Sequence, residues 1–184
     1  MEWFYYFIEK IYQIWLDSKG IEHLKTAATK IMEELTTKEK GDLGEEYVES
    51  LLINKDFITG LAPASRTKGD VWGFKDMRTY LHVALIQVKS SEDENPPALS
   101  NEETNECNEF CKFVFDKFYN VSDIIPNEYQ GKSLCVSIGY VGAKNIIDNP
   151  KIKSQYLIDY KTNIQEKSVN DNARQQCIMI HNTL

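Results

Sequence analysis

Apolar side chains recur at steps of three and four residues from position 3 to position 16, which is the spacing of one face of an α-helix. A second segment with this spacing runs from about Ile21 to Leu35. The two segments predict a helical hairpin, which would form an N-terminal extension over residues 1–37 ahead of a main domain over residues 38–184. We expect the aromatic stripe of the first helix to pack on the core or on a second copy of the chain rather than on a membrane surface.

The main domain begins with a helical pattern and continues with strands. Residues 38–57 place apolar side chains on one side of a helix and acidic side chains near its start. A short strand is expected at the beginning of residues 57–70, which then become a loop. Residues 70–74 and 80–90 are typical of two further strands, because apolar and β-branched side chains alternate there. A turn at residues 75–78 would join these two strands into a hairpin.

The second half of the chain adds a loop, a helix and further strands. Residues 91–105 are polar and acidic and contain a Pro-Pro pair, which predicts a surface loop and a candidate lid. We expect a helix from Glu106 to Tyr119, a strand from Lys132 and another over Gln155–Tyr160, while the final CIMIH fits either a strand or the end of a helix. The predicted fold class is therefore α/β, with the main domain in the order α-β-β-β-α-β.

Composition limits the partners and the location of the protein. The chain has 184 residues, of which 42% are hydrophobic, and this is enough for one domain with a substantial core. Its formal net charge of −7 means that a nucleic acid would need a local basic patch to bind. The four cysteines lack metal-finger spacing, which favours reduced, mostly buried thiols over disulfides and predicts a cytoplasmic location.

Charged residues interrupt the apolar N-terminal stretch. Glu9 and Lys10 stand within it before it could span a bilayer, and it has no basic leader segment and no small-residue cleavage site. We therefore expect neither a signal peptide nor a transmembrane helix, and no membrane partner.

Polar residues with catalytic potential stand at adjoining ends of the predicted hairpin strands. Asp70 precedes one strand, Gln87-Val88-Lys89 ends the next, and these strand ends lie side by side in a hairpin. Since side chains alternate along a strand, Gln87 and Lys89 project from one face and Val88 from the other. The Asp70 carboxylate, the Gln87 amide oxygen and the Val88 backbone carbonyl are oxygen ligands that suit Mg²⁺ or Mn²⁺. Lys89 would stand beside them.

Three segments, GEEYVESLL, SRTKGDVWGF and LIQVKSS, follow the order of the catalytic motifs of the PD-(D/E)xK nuclease superfamily, which this part of the chain resembles. In that superfamily a helical Glu precedes an Asp and a strand-borne (E/Q)xK. The resemblance covers residues 40–91 and implies a restriction-endonuclease-like core, in which a central mixed β-sheet is flanked by helices. It also implies Glu45 as the helical acid, with Glu46 as the alternative.

The function implied by the resemblance is metal-dependent hydrolysis of phosphodiester bonds, with DNA as the expected partner and a homodimer as the form in which many relatives act. The implied catalytic residues are Glu45, Asp70, Gln87 and Lys89. The implied ligands of Mg²⁺ or Mn²⁺ are Asp70, Gln87, Val88 and Glu45. The ion would polarise the phosphate and acidify a water molecule that Lys89 orients.

The loop before Asp70 supplies candidate contacts with the substrate. Ser65, Arg66 and Lys68 could hold backbone phosphates, because Arg can bind two phosphate oxygens at once and Lys supplies a point charge. The alternative for these residues is an ordinary solvated loop.

The chain departs from the usual motif at two positions. Gly69 stands where the motif often has Pro, and Gln87 stands where it usually has an acid. Gln87 removes one negative charge from the metal site, which lowers the expected affinity for a divalent ion. The rival hypothesis is therefore a catalytically inactive module of the nuclease fold that acts in nucleic-acid or protein binding.

Other enzyme classes find no support in the sequence. The three histidines, His23, His82 and His181, are isolated along the chain, and we expect each to be structural rather than a ligand. No Ser-His-Asp order, Walker loop or dinucleotide-binding glycine motif is present. The sequence therefore does not indicate a triad hydrolase, an NTPase or an oxidoreductase.

Overall fold

The computed structural model describes residues 2–19, 34–63, 68–91, 95–121, 123–145, 150–162 and 167–184, and for residues 34–40, 167 and 168 it describes the backbone alone. These parts of the chain contain four α-helices and five β-strands, together with two short 3₁₀ helices at Phe118–Val121 and Asn127–Tyr129. In chain order the elements are α1 (Glu2–Ser18), α2 (Glu34–Ile53), β1 (Ile58–Leu61), β2 (Val71–Asp76), β3 (Leu81–Ser91), α3 (Asn101–Lys117), β4 (Leu134–Lys144), β5 (Lys151–Lys161) and α4 (Lys167–Asn182).

The strands form one mixed sheet in the order β1-β2-β3-β4-β5. The pair β3 and β4 is parallel, whereas the other three pairs are antiparallel. A parallel pair needs a crossover connection, which here contains α3. The predicted α/β class and the order α-β-β-β-α-β from α2 to β4 are confirmed, and so is a mixed sheet flanked by helices.

The helices cover both faces of the sheet. Helices α1 and α3 pack against the face that carries Trp72, Val83 and Leu85, and together they form the largest buried cluster. The opposite face, with Ala84 and Val88, lies under α2 and the end of α4. Strand β3 is therefore buried on both sides, which accounts for its nearly continuous apolar sequence.

Helix α1 is an integral part of this core. Phe4, Phe7 and Ile11 are fully buried, and the ring of Phe7 packs edge-on against those of Trp72 and Phe118. The aromatic stripe therefore packs on the core, the first of the two outcomes expected from the sequence. Most of the predicted second helix, residues 20–33, lies outside the described residues, as does His23.

One boundary prediction needs correction, and one assignment that the sequence left open is decided by the structure. Helix α3 begins at Asn101 rather than at Glu106, because Ser100 and Glu103 form a capping box: the Ser100 side chain accepts from the Glu103 N–H at 3.2 Å, and Glu103 accepts from the Ser100 N–H at 2.8 Å. The predicted loop over residues 91–105 is therefore shorter than expected. The CIMIH segment, for which a strand and a helix end were both open, belongs to helix α4.

Within the described residues, none of the helices combines the length and the apolar character needed to cross a membrane.

Candidate active site

The hairpin of β2 and β3 brings Asp70 beside Gln87. Val71 pairs with Ile86 in the antiparallel register, so the residues just beyond this pair stand opposite each other. The Asp70 Oδ2 atom accepts a hydrogen bond from Gln87 Nε2 at 2.5 Å and another from the Val88 backbone N–H at 2.7 Å. Asp70 is only 6% exposed, so its carboxylate is held firmly at the end of the strand pair.

The amide of Gln87 is oriented by two partners. Its Oε1 atom accepts from the Gly69 N–H at 3.0 Å while its Nε2 atom faces Asp70. A flipped amide would set Nε2 against the Gly69 N–H and Oε1 against the Asp70 carboxylate, and both contacts would be repulsive. In this arrangement Gln87 positions Asp70, and its amide oxygen is already engaged.

The turn before Asp70 is fixed by α1. Gly69 has a φ of 77°, which a residue with a side chain adopts only with strain. The Gly69 carbonyl accepts from Trp72 Nε1 at 2.8 Å and from the Tyr12 hydroxyl at 2.8 Å. Proline, whose φ is fixed at about −65°, could not adopt this conformation, and the bond from Tyr12 gives α1 a role in placing the candidate site.

Glu45 lies on α2, which covers the other face of the sheet, near enough to Asp70 for the charge of Asp70 to act on it. The helix approaches closely at Gly44, where a Cβ atom would lie only 2.4 Å from Ser90 Oγ. Burial and the charge of Asp70 raise the pKa of Glu45 to about 7. Glu46, the alternative acid, is exposed. The environment of Glu45 therefore favours it over its neighbour as the helical acid of the site.

Asp70 is also shifted toward its protonated form. Burial raises its pKa to about 6, although the Val88 N–H and the charge of Lys68 act in the opposite direction. Two neighbouring carboxyls thus both keep their protons to a higher pH than ordinary carboxyls do. Carboxylate pairs of this kind are the oxygen donors that hard divalent cations prefer, and a bound cation would relieve their mutual repulsion.

Lys89 pairs with an acid that sequence reasoning missed. Its Nζ atom lies 2.6 Å from Glu103 Oε1, and this interaction lowers the pKa of Glu103 to about 2. Because Glu103 is also part of the capping box, the start of α3 holds the lysine in place. The spacing Ser100-x-x-Glu103 is the signature of that box and could have identified both the helix start and the residue.

The predicted phosphate-binding residues are only partly described. Lys68 forms an ion pair with Glu106 of α3, with 2.8 Å between Nζ and Oε2. Ser65 and Arg66 lie outside the described residues. Both described cations of the candidate site, Lys68 and Lys89, are thus matched by acids from the first turns of α3.

Two histidines that are isolated along the chain meet in the fold. His82 and His181 are completely buried, and their Nε2 atoms lie 2.7 Å and 2.8 Å from the hydroxyl oxygen of Ser137. Cys177 adjoins His82, with 3.6 Å between Sγ and Nε2. Residues from β3, β4 and α4 meet there across long sequence separations, which no local pattern signals. All four cysteines are free and buried, as predicted.

No protein-family model matches the chain, and no curated protein is significantly similar to it. The candidate site therefore depends on its own geometry and chemistry.

Proposed function

We propose that this protein is a metal-dependent nuclease, with its active site at the adjoining ends of β2 and β3 and with DNA as its expected substrate. The observation that carries the proposal is the pair formed by Glu45 and Asp70, two neighbouring carboxyls whose pKa values both lie well above their ordinary range. Perturbed pairs of this kind cluster at functional sites. The order α-β-β-β-α-β and the mixed sheet support a restriction-endonuclease-like core as part of the same proposal.

Mg²⁺ or Mn²⁺ fits the donor set of the site. Asp70 and Glu45 would hold the ion, since carboxylate oxygens are its preferred ligands. Gln87 acts through Asp70, whose free oxygen it leaves available by binding the other. When bound, the ion would supply Lewis-acid activation of the phosphate and of water.

Lys89 completes the proposed site. It lies two residues beyond Gln87 on the same face of β3, and its ammonium group offers a positive charge to the phosphate or to the attacking water. Glu103 holds this ammonium group in a defined position. Lys68, on the loop that leads to Asp70, would contact the backbone of the nucleic acid.

A binding module of the same fold is the rival function. It is favoured by the engagement of the Gln87 amide oxygen with the Gly69 N–H, and by the pairing of Lys89 and Lys68 with acids of α3. Such a protein would bind nucleic acid or protein without cleaving a phosphodiester bond.

A cleavage panel tests the proposal. The full chain is incubated with Mg²⁺ or Mn²⁺ and with plasmid, branched and single-stranded DNA and RNA. We expect cleavage of at least one substrate, and its loss by about 100-fold or more in Asp70→Asn and Lys89→Ala. Lys112→Ala is the matched control, because Lys112 is an exposed lysine of α3 that pairs with Asp116.

Cleavage that survives both site substitutions would show that the site is wrongly assigned. Binding to a nucleic acid without cleavage under any of these conditions would favour the rival function.

A further inference from the structure

A second cluster of ligand-type side chains lies away from the candidate active site, between the sheet and α4. It consists of His82 on β3, Cys135 on β4 and Cys177 on α4, and we call it the His-Cys-Cys cluster. All three side chains are completely buried, and their ligand atoms lie within 4.8 Å of one another. His82 and Cys135 are direct partners in the parallel register of β3 and β4, so the sheet itself fixes two of the three positions.

The distances within the cluster are close to those of a coordination sphere. The Cys135 and Cys177 Sγ atoms are 3.2 Å apart, and Cys177 Sγ is 3.6 Å from His82 Nε2. Tetrahedral Zn²⁺ with its usual bond lengths sets two sulfur ligands about 3.8 Å apart and a sulfur and a nitrogen ligand about 3.5 Å apart. The sulfur–nitrogen distance therefore already fits, and a small separation of the two sulfurs would complete the fit.

The protonation states available to the cluster suit a metal ion. The Ser137 hydroxyl lies between His82 Nε2 and His181 Nε2 but has one proton to donate. If His181 donates its Nε2–H to Ser137, the Ser137 proton points to His82, whose Nε2 atom then carries a lone pair. A cation would bind this lone pair, and the Ser137 hydroxyl would then turn away and give up its hydrogen bond to His82.

The charges and the softness of the ligands identify the class of ion. Two thiolates and a neutral imidazole balance a divalent cation, which avoids the large cost of a net charge in this interior. Thiolate ligands favour Zn²⁺ and related soft ions over Mg²⁺ or Mn²⁺. The three ligands are completely buried, away from any substrate, which suits a structural ion better than a catalytic one. Among the described residues the cluster supplies three of the four ligands that a tetrahedral ion takes, so a small ligand such as water would fill the fourth position.

We propose that His82, Cys135 and Cys177 form a structural binding site for a thiophilic metal ion, with Zn²⁺ as the expected occupant. The ion ties α4 to the centre of the sheet. This site is independent of the proposed nuclease function, because it uses other residues and another class of metal.

Cobalt spectroscopy on the full-length chain tests the proposal. The protein is reduced, stripped with a chelator and titrated with Co²⁺, which reports thiolate ligation through a charge-transfer band and tetrahedral geometry through intense visible bands. We expect both signals to saturate at one ion per chain, to disappear when Zn²⁺ is added, and to be accompanied by proton release. Asp70→Asn should leave them unchanged.

Substitutions locate the ligands. Cys135→Ser and Cys177→Ser should lose the charge-transfer band, whereas Cys107→Ser, a control at another fully buried cysteine, should retain it. Circular dichroism confirms that each variant is folded. If the folded, reduced wild-type chain gives no thiolate band, or if the band survives in both cluster variants, the proposal is overturned. A disulfide between Cys135 and Cys177 in protein that binds no Co²⁺ after reduction would also overturn it, in favour of a redox pair.

Discussion

At the scale of single residues, the candidate site depends on what surrounds one carboxylate. Asp70 receives two hydrogen bonds on the same oxygen, yet its pKa is still raised to about 6 because burial outweighs them. The neutral Gln87 contributes one of these bonds without adding negative charge. A neutral side chain at position 87 therefore lessens the repulsion between acids in the metal-free site, at the expense of affinity for a metal ion.

Gln87→Glu should destabilise the metal-free protein and strengthen the binding of a divalent cation. A glutamate would place a third carboxyl beside Asp70 and Glu45 and would lose the hydrogen bond that Gln87 Nε2 donates. Without a divalent cation we expect the free energy of unfolding at about pH 8 to fall by roughly 1–3 kcal/mol. With Mg²⁺ the loss should shrink, because the added acid strengthens metal binding. Denaturant unfolding with and without Mg²⁺ measures both effects.

An equal loss of stability with and without Mg²⁺ would contradict this role of Gln87. Gln175→Glu provides a control for the change of charge, since Gln175 is an exposed residue of α4.

At the scale of secondary-structure elements, patterns within about a dozen residues were predictive and contacts between distant residues were not. The β2–β3 hairpin was predicted correctly, since alternation and a turn specify it locally. The start of α3 was missed because prolines and acidic residues outweighed the capping signal of Ser100 and Glu103. The cluster of His82 and Cys177 depends on how α4 packs against the sheet, and a single sequence does not specify that packing.

Helix α3 contributes Glu103 as a positioning residue. Glu103→Gln preserves the capping box, because glutamine also accepts from the Ser100 N–H, but it removes the ionic partner of Lys89. We expect a stability change below about 1 kcal/mol, as for other partly exposed ion pairs. In the nuclease assay kcat should fall several-fold while KM changes little, because the lysine is less well oriented.

Glu102→Gln is the matched control, since Glu102 is an exposed acid in the same first turn. If Glu103→Gln cleaves as fast as the wild type, Glu103 does not position Lys89. If it cleaves faster, Glu103 competes with the phosphate for the lysine.

At the scale of the whole molecule, the two carboxyls couple folding to pH and, through the proposed metal site, to divalent cations. Both carboxyls have folded-state pKa values above their ordinary values, from 4.5 to about 7 for Glu45 and from 3.8 to about 6 for Asp70. Their protonated forms therefore stabilise the folded state fully below about pH 4, and this contribution is lost as the pH rises through about 6 and 7. A bound cation favours the ionised forms and opposes the loss.

We therefore predict that Mg²⁺ stabilises the protein at about pH 8 but has little effect at about pH 5. The pH-dependent contribution of the two carboxyls should be on the order of 2 kcal/mol, after allowance for the half-exposed position of Glu45. Thermal unfolding across this pH range, with Mg²⁺ or with a chelator, gives the measurement. Asp70→Asn should flatten the pH dependence of stability. An unchanged slope in this variant would show that other groups cause the pH dependence.

The central claim is that Glu45 and Asp70 bind one divalent cation together, and calorimetric titration with Mn²⁺ at about pH 8 tests it most directly. The ion prefers oxygen ligands, so the His-Cys-Cys cluster does not compete for it. The wild type should bind one ion, Glu45→Gln and Asp70→Asn should weaken binding by at least ~10-fold, and Glu46→Gln, on the exposed neighbour, should bind as the wild type does. Equal affinity in the wild type and Asp70→Asn, or no binding by the wild type, would contradict the account.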